Sequence, residues 1–390
     1  MENSGSSFSL IKNKTKISFT KFLEKRKESN FLAKISVIGK IVSLLLLVYL
    51  FMLSITLLGS AFKLFGKDFA RSLIETTSNP LVGLVIGILS TSIVQSSSTT
   101  TSIVVGLVGA NALSIASAIP IIMGANVGTS VTNLLVSLGQ ISHKVEFRRA
   151  FAAAIVHDIF NILSVLILFP IQYFTNLLGF LSVGLANTFQ HLGGLKAISP
   201  IEIVTEPIVE LAERITSNSG IIILILGLLL LFVTLRYLVK VSKSLFIGKF
   251  EKFFDKVIFK NAFVSLLFGL IITAIVQSSS ITTSLVVPLV GAGILKLKQI
   301  FPYTLGANIG TTVTAMLASL ATGNISAIAV ALAHFSFNVI GVAIIFPVKF
   351  IPIEMAKWMA KISIQNKIYP LLYIALVFFI VPLLIICFMR

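Results

Sequence analysis

The sequence predicts an all-α integral membrane fold: two inverted-topology repeats, each with a re-entrant helical hairpin broken at a Gln-Ser-Ser-Ser motif. Three observations predict it. Apolar stretches are long enough to cross a bilayer, two of them carry polar interruptions, and a set of motifs occurs twice in the same order.

The apolar stretches set the class. The chain has 390 residues, 56% of them hydrophobic and only 12% charged, with a mean hydropathy of +1.02. A soluble domain carries about 25% charged residues. Uncharged runs of about 20 residues suit a hydrocarbon core of roughly 30 Å. Spans are expected over 41–62, 113–138, 147–170, 220–239, 299–320, 324–348 and 368–389. The stretches 81–110 and 262–293 are broken by polar residues, so each reads as a re-entrant hairpin rather than one span. The expected organisation is a basic N-terminal arm (1–40), a first membrane repeat (41–170), a connector (171–219), a second repeat (220–350), and a segment with a last span (351–390).

Charge sets the orientation. The net charge is +17, but Lys and Arg gather in short loops, where they fix topology; no nucleic-acid partner is expected. The arm holds nine Lys or Arg against three Glu and has no apolar core with a cleavage site, so it reads as a cytoplasmic arm without a cleaved signal. With the arm inside, loop 139–149 (Lys144, Arg148, Arg149), loop 240–261 (six Lys) and segment 349–367 (four Lys) all fall inside. Connector 171–219, with Glu202, Glu206, Glu210 and Glu213, falls outside. The first hairpin then enters from outside and the second from the cytoplasm. The last span fits this count least well, because it leaves Arg390 outside. A cell-membrane, multi-pass protein with a cytoplasmic N-terminus is expected. Cys387 is the one cysteine, so no intrachain disulfide can form.

The repeat is explicit. Gln95-Ser-Ser-Ser-Thr-Thr-Thr-Ser102 recurs as Gln277-Ser-Ser-Ser-Ile-Thr-Thr-Ser284, 182 residues on. Gly124-Ala-Asn-Val-Gly-Thr129 recurs at the same offset as Gly306-Ala-Asn-Ile-Gly-Thr311. His157 and Asn161 match His334 and Asn338 at an offset of 177, which Phe169-Pro170 and Phe346-Pro347 keep. Inverted repeats with interrupted segments at corresponding places point to a secondary transporter with its site near the midplane.

The interruptions can do chemistry. Left against lipid, each unsatisfied polar group costs several kcal/mol. A helix broken there exposes N–H groups that suit an anion, while the preceding carbonyls suit a cation. Gln95, Ser96, Ser97, Ser98 and Thr99, with Gln277, Ser278, Ser279 and Ser280, are therefore the candidate anion site. Single Ser and Thr residues usually only join helices or bond back to their own turn; an eight-residue run that is wholly polar in one copy and polar but for Ile281 in the other is a different matter. Gly124, Gly128, Gly306 and Gly310 at four-residue spacing make small faces for close helix packing. They bring Asn126, Thr129, Asn308 and Thr311 near the hairpins, either as packing residues or as cation ligands.

Asp158 is the one acid of fourteen within an expected membrane segment. Intramembrane carboxylates are expensive and usually functional, and no Lys or Arg lies deep in the spans to pair with it. A cation or a proton is its expected partner; the alternative is a neutral Asp158 bonded to a neighbour such as His157. His157 and His334 read as packing residues rather than metal ligands, and no transition metal is expected. No nucleophile elbow, Walker-type loop or zinc spacing occurs, so no enzyme is expected.

At these motifs the chain resembles the sodium-dependent phosphate cotransporter family, in a bacterial form without the large external loop of animal members. The resemblance covers about residues 40–350. It rests on the doubled Gln-Ser-Ser-Ser, the Gly-x-Asn-x-Gly-Thr pair, Val156-His157-Asp158 with Asn161, and Glu-Phe-Arg-Arg-Ala-Phe at 146–151. It implies phosphate held between the hairpin tips, sodium as the coupled cosubstrate with no other cofactor, and Asp158 as the acid of electrogenic members. It also implies that Gln140 and Asn161 match residues of a sodium site. His143 stands where the family often has Asp, and Leu134 where it has a Thr ligand, which alters the expected geometry of that site. The expected partners are phosphate, sodium, the bilayer and a second copy in a homodimer. The rival readings are transport of another oxyanion, phosphate export, a channel with paired re-entrant loops, and an intramembrane enzyme using a histidine with Asp158.

Overall fold

The computed structural model describes residues 39–191, 194–250 and 261–389. The chain divides into two units, Met1–Leu47 and Val48–Arg390. Residues 1–38 of the expected arm, residues 251–260 of the expected basic loop, and Arg390 lie outside the described residues.

Every element among the described residues is helical. In chain order they are α1 (Gly39–Leu64), α2 (Gly66–Thr76), α3 (Pro80–Val94), α4 (Ser97–Gly109), α5 (Ile115–Gly128), α6 (Ser130–Leu138) and α7 (Lys144–Thr175). Then follow α8 (Leu177–His191), α9 (Gly194–Ile215), α10 (Gly220–Phe250), α11 (Ala262–Val276), α12 (Ser279–Gly291), α13 (Leu297–Ala321), α14 (Ile325–Ile345) and α15 (Phe350–Ser363). The C-terminal helix Ile368–Met389 runs as α16 (Ile368–Ala375), a π-helical turn at Leu376–Ile380, and α17 (Val381–Met389).

Among the described residues, six helices are long and apolar enough to cross a membrane: Gly39–Leu64, Ile115–Leu138, Lys144–Thr175, Gly220–Val241, Ile325–Ile345 and Ile368–Met389. The chain is a multi-pass membrane protein. The expected span at 299–320 is helical as α13 but is not one of the six, because its buried side carries Thr304, Asn308, Thr311, Thr312, Thr314 and Ser319. Four helices lie outside the expected spans and hairpins. α2 is a short amphipathic helix bent 99° from α3, α8 and α9 fill the expected connector, and α15 lies within the expected segment 349–367. Exposed Ile221, Ile222, Ile225 and Leu229 on α10, with Leu372, Leu376, Leu383 and Phe388 near the C-terminus, make apolar faces suited to lipid.

The elements themselves recur. α3 and α11 start at 80 and 262, α4 and α12 at 97 and 279, α5 and α13 at 115 and 297, each 182 residues apart. Pro120 and Pro302 occupy the same place in α5 and α13. Close packing explains the glycines. A Cβ on Gly124 would strike the Leu84 carbonyl, and one on Gly87 the Ile121 carbonyl. Gly306 and Gly269 stand in the same relation to the carbonyls of Leu266 and Tyr303. Lipid tails are as apolar as Leu, so small residues that let backbones touch supply much of the association energy. One apolar core gathers Phe147, Phe151, Phe160, Phe301, Phe337 and Phe378 around these pairs.

Candidate functional site

Both interrupted segments break at the glutamine. Gln95 ends α3 in the left-handed region (φ 55°, ψ 30°), its N–H on the Thr91 carbonyl at 2.7 Å. Ser96 is extended (φ −150°, ψ 101°), and its Oγ caps α4 by accepting from the Thr99 N–H at 3.2 Å and from the Thr99 hydroxyl at 2.8 Å. Gln277 (φ 56°, ψ 29°) and Ser278 (φ −153°, ψ 104°) reproduce the break between α11 and α12, with Ser278 Oγ accepting from the Ile281 N–H at 3.4 Å. A left-handed non-glycine residue costs on the order of 1–3 kcal/mol and persists where the surroundings enforce it. The gain is two helix starts whose first N–H groups, at Ser97–Ser98 and Ser279–Ser280, precede any helical partner. These four serines are buried.

The two breaks meet. Ser98 Oγ donates to the Gln277 carbonyl at 3.0 Å. A hydrogen-bonded chain then runs from the second tip inward. The Thr283 hydroxyl donates to the Ser279 carbonyl at 2.6 Å and accepts from Asn133 Nδ2 at 2.9 Å. The same amide reaches His157 Nδ1 at 3.0 Å, so Nε2 carries the ring proton and donates to Asn308 Oδ1 at 2.6 Å. Asn308 Nδ2 donates to Asn161 Oδ1 at 2.6 Å, and Asn161 Nδ2 to the Asn126 carbonyl at 2.8 Å. Asn126 Oδ1 accepts from Asn338 Nδ2 at 3.2 Å and faces His334 Nε2 at 3.4 Å. All of these side chains are buried. A buried network of this kind holds its members in one geometry, although Asn338 Oδ1 and His334 Nδ1 at its far end have no partner among the described residues.

Asp158 lies fully buried on α7, with Ser130 between it and this network: the Ser130 hydroxyl is beside the carboxylate and accepts from Asn161 Nδ2 at 3.2 Å. The Tyr373 hydroxyl of α16 donates to Asp158 Oδ2. Its Oδ1 has no partner among the described residues. His157, the neighbour considered from sequence, is instead taken up by Asn133 and Asn308. Asn133 and Tyr373 were not foreseen: Asn133 has no counterpart in the repeat, and Tyr373 lies outside it, in an otherwise apolar span.

The other candidates are placed as follows. Asn126, Asn161 and Asn308 come together in the network. Thr129 and Thr311 bond back to the carbonyls of Ala125 and Ala307, at 2.9 and 3.0 Å. Gln140 makes no link to the cluster; its side-chain oxygen lies against Gly291 and has no partner among the described residues. His143 precedes α7 at the surface, and Leu134 is in the core. Gln95 is exposed and Gln277 buried. Besides Asp158 Oδ1, the buried oxygens without a partner among the described residues include Thr91 Oγ1, Ser102 Oγ, Gln277 Oε1 and Asn338 Oδ1. Such a set of oxygens has lone pairs for a hard cation, and its hydroxyls can donate to an oxyanion.

The chain is similar to known transport proteins. The family model described as Na+/Pi-cotransporter matches residues 50–197 and 228–349. The chain is 34% identical over 462 residues to sodium-dependent phosphate transport protein 2B of Homo sapiens, covering 93% of this chain and 67% of that protein. It is 36% identical over 445 residues to sodium-dependent phosphate transport protein 2A of Ovis aries, covering 92% and 70%. The 2A protein of Rattus norvegicus is 34% identical over 446 residues, with 93% and 70% covered. No solved structure matches the chain.

Proposed function

Since the chain belongs to the Na+/Pi-cotransporter family, we propose that it is a secondary active symporter, not an enzyme, which couples sodium influx to inorganic phosphate transport. The observation that carries this reading is the meeting of two helix breaks of the same geometry, with Ser98 Oγ on the Gln277 carbonyl. Phosphate sits between the tips, on the free N–H groups and hydroxyls of Ser97, Ser98, Ser279 and Ser280, with Ser96, Thr99, Ser278 and the two glutamines at the rim. Helix starts stabilise an anion there without a buried Lys or Arg. A divalent anion still needs compensating charge in a dry site, and sodium supplies it. Asp158, with Asn161, Gln140, Asn126, Asn308, Thr129 and Thr311, is the candidate sodium-binding set.

The two halves are inverted repeats, and the hairpins enter from opposite faces. The excess of Lys and Arg then places the N-terminus and the start of α7 in the cytoplasm, in a cell membrane. Cysteines at Lys252 and Ser199, in a Cys387→Ser background, should react with an impermeant thiol reagent from opposite faces; labelling from one face would exclude inversion.

The functional test is radiolabelled phosphate uptake into proteoliposomes with and without a sodium gradient. Uptake should be saturable and driven by sodium. Ser97→Ala and Ser279→Ala should each impair it without unfolding the protein. Uptake indifferent to sodium, or normal in both variants, would overturn the assignment.

A further inference from the structure

A cavity lies away from the breaks at Gln95 and Gln277, and none of the residues of the candidate transport site lines it. Its volume is about 540 Å³. Five cations from three parts of the chain line it: Arg148 and Arg149 near the start of α7, Lys296 before α13, and Lys357 and Lys361 on α15. Ala152, Val290, Leu295 and Leu297 supply its apolar floor. No acidic residue lines it among the described residues.

The local fold builds this cavity. Gly293 turns the chain between α12 and α13 with a positive φ of 79°. A Cβ there would stand 2.7 Å from Arg149 Nη1, so glycine both permits the turn and leaves room for the guanidinium across it. Lys357 has a carboxylate partner, Glu354, at 2.6 Å. Arg148, Arg149, Lys296 and Lys361 make no ion pair among the described residues. Like charges gathered around one cavity repel, and a bound anion would remove that cost. Arginine forks match phosphate oxygens in pairs, and lysines add point charge.

The surroundings suggest where the anion comes from. Trp358, the chain's one tryptophan, lies on α15 between Lys357 and Lys361 and is 64% exposed. Phe350 and Met355 of the same helix are exposed too. An exposed Trp flanked by Lys is the side-chain pattern of a membrane–water interface, where anionic headgroups attract basic clusters.

We propose that this cavity is a binding site for a phosphate-bearing anion, supplied either by the headgroup of an anionic phospholipid or as free inorganic phosphate. The apolar floor and Trp358 favour the lipid, whose glycerol and upper chain would rest on that floor.

The test uses the purified full chain in neutral detergent and sodium-free buffer, so that the sodium-dependent transport site contributes nothing. Thermal stability and native mass spectrometry follow titration with phosphatidylglycerol, phosphatidylcholine, inorganic phosphate and chloride. Wild type should bind phosphatidylglycerol at least tenfold more tightly than phosphatidylcholine. Lys357→Gln/Lys361→Gln, two exposed positions, should lose that preference, while the control Lys63→Gln/Lys67→Gln keeps it. Should Lys357→Gln/Lys361→Gln fold poorly, Arg148→Gln is read in its place. A response to inorganic phosphate over chloride, lost in the same variant and without a lipid preference, assigns the site to free phosphate. No preference for either probe, or the same preference in the variants, overturns the proposal. Sodium-driven uptake is a separate measurement and can fail or succeed independently of this one.

Discussion

The two halves of this chain share a frame but not a polar interior. At the breaks, Gln95 and Gln277 differ by about a degree in φ and ψ, and the glycine contacts of α3 with α5 recur between α11 and α13. Inside the frame the halves diverge. Asp158 corresponds to Phe335, and Asn133 to Ala315, by the offsets of the repeat. Thr273 and Thr282 share a hydrogen bond of 2.8 Å, whereas Thr91, the counterpart of Thr273, has no side-chain partner among the described residues. The consequence can be read at the histidines. His157 Nδ1 has Asn133 as its partner, whereas His334 Nδ1 has none among the described residues, because alanine stands at 315. Duplication supplies the scaffold and the paired helix breaks; the departures from it supply the groups that make the halves unequal.

The comparison breaks most visibly at the glycines. Gly124→Leu and Gly306→Leu force side chains into the carbonyls of Leu84 and Leu266. Each should lose on the order of 3 kcal/mol, seen as a fall in monodisperse yield and in thermal stability. Because the contacts match, the losses should match. A tolerant position in one half alone would mean that the halves are not equivalent frames.

The next largest effect concerns Asp158, whose counterpart is apolar. With one sodium compensating its charge, Asp158→Gly removes the charge and both oxygens, and transport current per phosphate taken up should fall while some uptake survives. Asp158→Asn should retain a weaker sodium dependence. Tyr373→Phe keeps the carboxylate but removes its donor, so sodium affinity should shift by about 1.5–3 kcal/mol, the range for a hydrogen bond to a charged group, without a change in charge per phosphate. An unchanged ratio in Asp158→Gly would show that this carboxylate binds no coupled ion.

Legibility in the sequence followed the same division. What is duplicated could be read: the breaks at Gln95 and Gln277, the glycine faces, and His157 with Asn161 all recur at constant offset. Asp158 could be read because a carboxylate in an apolar run is conspicuous on its own. What is unique and unremarkable in composition could not. Asn133 is one polar residue in an ordinary helix, and its importance comes from tertiary placement between α7 and α12. Tyr373 lies more than two hundred residues from its partner. α8 and α9 were hidden because they are too polar for spans and lie between motifs. α13 was read as an ordinary span because its pattern does not show how much Thr and Asn one face must bury.

The smallest effect is the sharpest test of the inequality. Asn133→Ala gives the first half the residue that the second half has at Ala315. The amide leaves, so His157 Nδ1 loses its donor and the Thr283 hydroxyl loses one of its two side-chain and backbone partners. Thr283 keeps the Ser279 carbonyl at 2.6 Å, and His157 keeps Asn308 at 2.6 Å. Neither ring nor hydroxyl is stranded, and His334 shows that an imidazole with a single side-chain partner is tolerated in this frame. The loss of stability should therefore be about 1 kcal/mol, the net value of one hydrogen bond, rather than the full cost of a stranded group. Function should respond through the tip, since Asn133 steadies Thr283 and Thr283 steadies the Ser279 carbonyl: the KM for phosphate should rise while current per phosphate stays constant. Thr283→Val, combined with Asn133→Ala in a double-mutant cycle, isolates the link. Coupling of more than about 0.5 kcal/mol in stability is expected for groups in direct contact; strictly additive losses would mean that the amide and the hydroxyl do not act on one another, and that the first half gains nothing from its extra asparagine.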